Sequence, residues 1–191
     1  VLYCYPERIT DRLLDVIADE PKIVKYMDIP IQHCNGQVLY EMNRGGDEKQ
    51  LRELIAKIRR RIPDIVIRTT LITGFPGETE EQFEGLAEFV KDVEFDRLGC
   101  FPYSQEEGTF AGEMADQVDE EVRAHRADII MEQQQLIHSR KNEECVGKIM
   151  EAVVEGFDKW AECWFGRTKG DAPDIDGKVF FTGGKGLKTG Q

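Results

Sequence analysis

No stretch of this 191-residue chain approaches the ~20 apolar residues that a membrane-spanning helix requires, and there is no charged-then-apolar leader. The five cysteines (Cys4, Cys34, Cys100, Cys145, Cys163) form no C-x-x-C pair. Their odd number and wide spacing argue against a disulfide framework, so they read as reduced thiols of a cytosolic protein. No G-x-G-x-x-G follows any strand-like run, which disfavours a dinucleotide fold. Internal repeats beyond a strand–helix period and low-complexity tracts are also lacking.

Positive charge is in deficit. The net charge is −12, and −11 of it falls on residues 1–150. An acidic body repels phosphate backbones and suits a basic protein partner, or it is simply a solvated helical exterior.

What is present alternates between strand-like and helical runs. Residues 1–5 read as a buried strand stopped by Pro6. Thr10 reads as an N-cap, with Ile9 and Leu14 placed as a hydrophobic staple. Residues 26–31 form the second expected strand; a linker follows, then a helix with Leu51, Leu54, Ile55, Ile58 and Ile62 on one face. Residues 65–73 are rich in β-branched side chains, as a buried parallel strand would be. Thr79 and Gln82 fit a capping box before a helix that buries Phe83, Leu86, Val90 and Val93. Residues 98–101 are the fourth expected strand, and a long polar helix from 119 to 145 is capped by Asp119 and stopped near Gly147. This order implies βαβ units and an α/β fold, either an open sheet or part of a barrel. After Gly147 the composition changes: residues 148–155 and 178–181 read as strands, with aromatics and glycines between them. That predicts two domains, 1–146 and 147–191, the second an incomplete small β-barrel. The strand-like start and the turn-like run from Gly183 to Gln191 both read as continuing into further chain.

In parallel βα folds, sites form at the carboxyl ends of strands. Gly74 and Gly77, flanking Phe75 and Pro76, make a loop that can offer peptide groups to a flat ligand or merely cap the next helix. Arg68 lies inside an apolar strand, so it needs a ligand carboxylate or an ion pair with Asp28 or Glu78. His33 can serve a ribose, act as a base, or be structural. Nothing near Cys34 in sequence activates it as a nucleophile. The basic run Lys57, Arg59, Arg60 and Arg61 suits a helix end. Trp160, Trp164 and Phe165 belong either on bases or, as the expectation here, inside the small barrel. No carboxylate pair or metal-ligand cluster marks a hydrolase.

Taken together, Asp28-Ile29-Pro30-Ile31-Gln32-His33, Met42-Asn43-Arg44, the run Ile67 to Thr79 with its Gly74-Phe75-Pro76-Gly77-Glu78-Thr79 loop, and Tyr103 to Thr109 resemble the methylthiotransferase branch of the radical S-adenosylmethionine enzymes. The resemblance covers essentially the whole chain. It implies a partial (β/α) radical-SAM barrel followed by the start of an OB-like TRAM domain. It implies S-adenosylmethionine and 4Fe-4S clusters as cofactors, with the cluster-binding C-x-x-x-C-x-x-C loop outside this sequence, no metal ligand within it, and no activity of this chain alone. The implied chemistry is reductive cleavage of S-adenosylmethionine to a 5′-deoxyadenosyl radical, hydrogen abstraction, and delivery of sulfur and a methyl group.

Residues 171–177 are similar to the members that modify an aspartate β-carbon of ribosomal protein uS12, rather than to those that modify isopentenyladenosine in tRNA. The implied partners are uS12, the ribosome and an electron donor, with tRNA less favoured and no membrane. The implied cofactor residues are Arg68 for the methionine carboxylate, Gln32 and His33 near the ribose, and Ile72, Gly74 and Phe75 flanking the adenine. The usual G-x-I-x-G-x-x-E pattern fits imperfectly: Thr70 holds its first place and Glu78 falls one place late. A competing reading is a binding module without redox chemistry.

Overall fold

A computed structural model describes residues 1–183 and 186–191 of the chain; Gly184 and Lys185, within the expected terminal turn, lie outside the described residues. Three strands, β1 (Tyr26–Asp28), β2 (Val66–Thr73) and β3 (Arg97–Pro102), form a parallel sheet in the order β1-β2-β3. The helices α1 (Asp11–Asp19), α2 (Gly36–Glu41), α3 (Glu48–Arg61), α4 (Glu80–Val93), α5 (Phe110–Glu113) and α6 (Glu120–Glu143) lie between and after them. Strands β4 (Ala152–Asp158), β5 (Cys163–Thr168) and β6 (Val179–Phe181) form a separate antiparallel sheet.

Local sequence explains most boundaries. Thr10 caps α1 by accepting from Leu13 N at 3.2 Å, and Ile9 and Leu14 are both buried. The Thr79–Gln82 capping box is complete, with both reciprocal bonds formed. Helix α4 buries the four expected residues and also Phe89. The amphipathic face of α3 buries Leu51, Ile55 and Ile58, and Asp119 caps α6 through Glu121 N.

Several expectations need correction. Residues 1–5 are not a buried strand: Val1, Leu2, Tyr3 and Tyr5 are exposed, and Tyr3 has φ 57°. That left-handed residue breaks the extended run after Val1 has bonded Tyr26 O and Asp28 N, so no ladder develops. The second expected strand shrinks to three residues because the Thr69 hydroxyl, not the β2 backbone, meets Ile29 O and Ile31 N; pairing resumes at Gln32, which bridges Leu71. The linker after it contains α2, capped by the Asn35 side chain. The first strand of the small sheet starts at Ala152, and the aromatic stretch between the two expected strands is itself β5.

Strand β2 alternates strictly between buried and half-buried residues. Ile67 and Leu71 join the core built with α1, α3, α4 and α6, while Arg68, Thr70 and Ile72 face the other way. That second face is where the site lies. Among the described residues, no helix is long and apolar enough to cross a membrane.

Candidate cofactor site on the inner sheet face

The register of the sheet assembles the site. Asp28 pairs with Arg68, Thr70 with Gly99, and Ile72 with Phe101, each pair projecting to the same face. Arg68 Nη1 donates to Asp28 Oδ1 at 3.1 Å and to Thr70 Oγ1 at 3.4 Å. Its Nε lies 3.8 Å from Asp176 Oδ1. Of the two ion-pair partners that the sequence allows, Arg68 therefore takes Asp28, while Glu78 goes elsewhere. Among the described residues no hydrogen bond engages Arg68 Nη2, which lies over Gly99. Four residues along the strand, about 13 Å at 3.3 Å per residue, stands half-buried Ile72, while the exposed ring of Phe101 lies back over Gly99, close to Arg68 Nη2. The face thus offers one open guanidinium donor and, from it toward the carboxyl ends, an apolar surface.

The loop after β2 is built around Glu78. Gly74 N donates to Glu78 Oε1 at 3.0 Å, and Arg126 Nη1 donates to the same oxygen at 2.8 Å. Glu78 Oε2 faces His33 Nε2 at 3.4 Å, and neither atom has another partner. His33 is fully buried, and its Nδ1 accepts from Asn35 N at 2.9 Å, which places the ring proton on Nε2 toward Glu78. His33 therefore contacts the loop from below and does not line the open face. Gln32 is half-buried with φ 68° and holds the ladder through Thr70 O and Ile72 N.

Gly74 has φ 69°, and the space a Cβ would need is filled by Arg123. The Thr73 hydroxyl donates to Arg123 O at 3.1 Å and Arg123 Nη1 donates to Tyr103 O at 2.7 Å. Phe75 is buried and meets Tyr103 edge-on, with centroids 5.3 Å apart. The Gly74 peptide is thus committed to Glu78 and to α6.

Other candidates resolve simply. Burial pushes the Cys34 thiol up to about 12, so it is not a nucleophile at neutral pH. Lys57 and Arg61 pair with Asp11 and Asp15, and Arg59 donates to Val93 O and Glu94 O at the end of α4. Trp160 is not buried in the small sheet: at 98% exposure it stands at the tip of the β4–β5 hairpin, while Trp164 packs edge-on against Phe157. Among the described residues, no three His, Cys, Asp or Glu side chains converge to hold a metal ion.

Sequence reasoning missed Arg126, Arg123 and Arg97. For Arg126 there was a signal: it shares a helical face with Ala127, Ile130, Gln134 and Ile137, all buried. A charged residue on such a stripe requires a buried partner.

The Radical SAM superfamily matches over residues 1–90, and the TRAM domain family over residues 146–191. Over 94% of the chain, 48% of residues are identical to ribosomal protein uS12 methylthiotransferase RimO of Desulfitobacterium hafniense. The RimO of Pelotomaculum thermopropionicum is 50% identical over 100% of the chain.

The chain is similar to the radical SAM methylthiotransferases along its length.

It spans about two fifths of the length of these relatives, 40% of the first and 43% of the second. Among solved structures, coproporphyrinogen III oxidase from Escherichia coli, a radical SAM enzyme, superposes with a TM-score of 0.55 at 22% identity over 72% of this chain and 31% of that one. Elp3 of Methanocaldococcus infernus does so with a TM-score of 0.51 at 12% identity over 87% of this chain and 52% of that one. Both likenesses show that this chain shares their α/β fold.

Proposed function

We propose that the protein adds a methylthio group to the β-carbon of an aspartate in ribosomal protein uS12, with residues 1–146 forming part of the barrel and 147–191 part of the TRAM domain. The observation that carries this reading is the near-50% identity to uS12 methylthiotransferases over 94–100% of the chain. The acidic body suits a basic ribosomal protein better than tRNA.

The inner sheet face fits S-adenosylmethionine. An extended amino acid–nucleoside needs a carboxylate ligand at one end and an apolar surface at the other; Arg68 Nη2 and Ile72 stand at the two ends of this face, with the Phe101 ring over Gly99 between them. Asp28 and Asp176 already offset the Arg68 charge, so the carboxylate is held by a directed hydrogen bond more than by net charge. Gln32 serves the ribose side. Gly74, Phe75 and His33 act through the loop whose shape they hold by way of Glu78 and Tyr103. When bound with the 4Fe-4S clusters, S-adenosylmethionine supplies the radical and the methyl group. The cluster ligands are not among these residues, and an electron donor completes the system.

The test uses the full-length protein reconstituted anaerobically with iron and sulfide. It is offered S-adenosylmethionine, a reductant, the uS12 loop peptide and isopentenylated tRNA together. Mass spectrometry is expected to find a methylthio gain on the peptide. A gain on the tRNA alone would establish the tRNA-modifying activity instead, and no gain on either would favour a binding module.

A further inference from the structure

Within residues 171–177, which carry the uS12-type resemblance, Asp171 and Asp176 point inward. Asp171 Oδ1 accepts from Arg97 Nη2 at 2.7 Å, and its Oδ2 accepts from Thr168 N and Oγ1 at 2.9 and 2.6 Å. Asp176 Oδ2 accepts from Tyr26 OH at 2.6 Å and from Ala172 N at 2.7 Å, while its Oδ1 faces Arg68. Both carboxylates are buried, with side-chain exposures of 7% and 4%. The partners Tyr26, Arg68 and Arg97 come from the starts of β1, β2 and β3.

Among the described residues, these are the side-chain hydrogen bonds and ion pairs that join residues 1–146 to the small antiparallel sheet. The connection itself offers little else: Val146, Ile149 and Met150 are exposed. The parallel strands are rigid, and the candidate cofactor site shares Arg68 with this contact and extends from it toward their carboxyl ends, so whatever fixes the small sheet at the amino ends also sets its position relative to that site.

We propose that Asp171 and Asp176 are positioning residues that select the protein substrate by docking the TRAM unit onto the barrel sheet, rather than by touching the substrate. The inference rests on the uS12 reading above. Without the two carboxylates the TRAM unit swings free, and substrate affinity falls.

The experiment compares the full-length reconstituted wild type with Asp171→Asn, Asp176→Asn and the double variant, using Arg97→Gln as an independent break of the same contact. Hydrogen exchange is followed for residues 26–28 and 165–177. Steady-state kinetics gives KM and kcat for the uS12 peptide, and 5′-deoxyadenosine formation without peptide is measured separately. The expected result is faster exchange in both segments and a peptide KM raised about tenfold in the double variant, with 5′-deoxyadenosine formation unchanged in Asp171→Asn and Arg97→Gln, whose contact does not involve Arg68. Arg97→Gln should reproduce the Asp171→Asn effect. Unchanged exchange, or faster exchange with an unchanged KM, would overturn the proposal. A wild type inactive on the peptide would instead count against the uS12 reading, with the exchange data still deciding the docking.

Discussion

Arg126 Nη1 lies 2.8 Å from Glu78 Oε1, with both side chains buried, and Arg126 Nη2 reaches Glu80 Oε2 at 2.7 Å. One guanidinium thereby ties the loop after β2 to the second turn of α6. Removing one partner of a buried pair leaves the other charge unpaired and costs about 3–5 kcal/mol. Arg126→Leu is expected to lower the thermal midpoint of the full-length protein by several degrees. Glu80→Gln, whose carboxylate is exposed, should shift it little. Differential scanning calorimetry makes the comparison.

The two loop glycines separate strain from crowding. Gly77 has φ 81° with nothing near its missing Cβ, so Gly77→Ala carries only the left-handed penalty of about 1 kcal/mol. Gly74→Ala adds a collision with Arg123 to the same backbone strain. The expected order of destabilisation is Gly74→Ala well above Gly77→Ala, read from denaturant midpoints. Equal effects would mean that Arg123 can move aside.

Acid should release the docking contact. Burial alone would raise the Asp171 carboxyl, but hydrogen bonds from Thr168 and the neighbouring Arg97 guanidinium outweigh it and hold the group below the ordinary carboxylate range. A carboxyl depressed in the folded state contributes stability that is present above its unfolded value of about 3.9 and lost as pH falls through the folded one. Burial, then Arg97, also lowers His138, which adds a loss beginning below its ordinary value of 6.5. Exchange protection of residues 165–177 should therefore decline on acidification, and Asp171→Asn should flatten the steepest part, below about pH 4.

The thiols should react unequally. Burial pushes both Cys34 and Cys100 up to about 12. Thiolate is the reactive form, so iodoacetamide at pH 8 should leave these two cysteines unmodified in the native protein and label them only after unfolding. Peptide mapping after brief alkylation reads this directly. Fast native labelling of Cys34 would show that its site opens.

Much of this was legible from local rules. The Thr10 and Thr79 caps, the apolar face of α3 and the β-branched run of β2 each follow from residues within one turn or one strand of each other. The Gly74–Thr79 loop and residues 171–177 likewise pointed to the radical SAM methylthiotransferases before any contact was visible. The tertiary structure alone decided where side chains of distant segments meet. Arg68 could have met Asp28, Glu78 or a ligand; strand register put Asp28 opposite it and packing of α6 gave Glu78 to Arg126. His33 was eligible for an open site until the chain turned it onto Glu78. Asp171 and Asp176 carried a family signature in sequence, but that they grip Arg97 and Tyr26 depends on contacts spanning 74 and 150 residues. Periodicity and capping report on neighbours along the chain, whereas the pairing of buried charges depends on which segments the fold brings together.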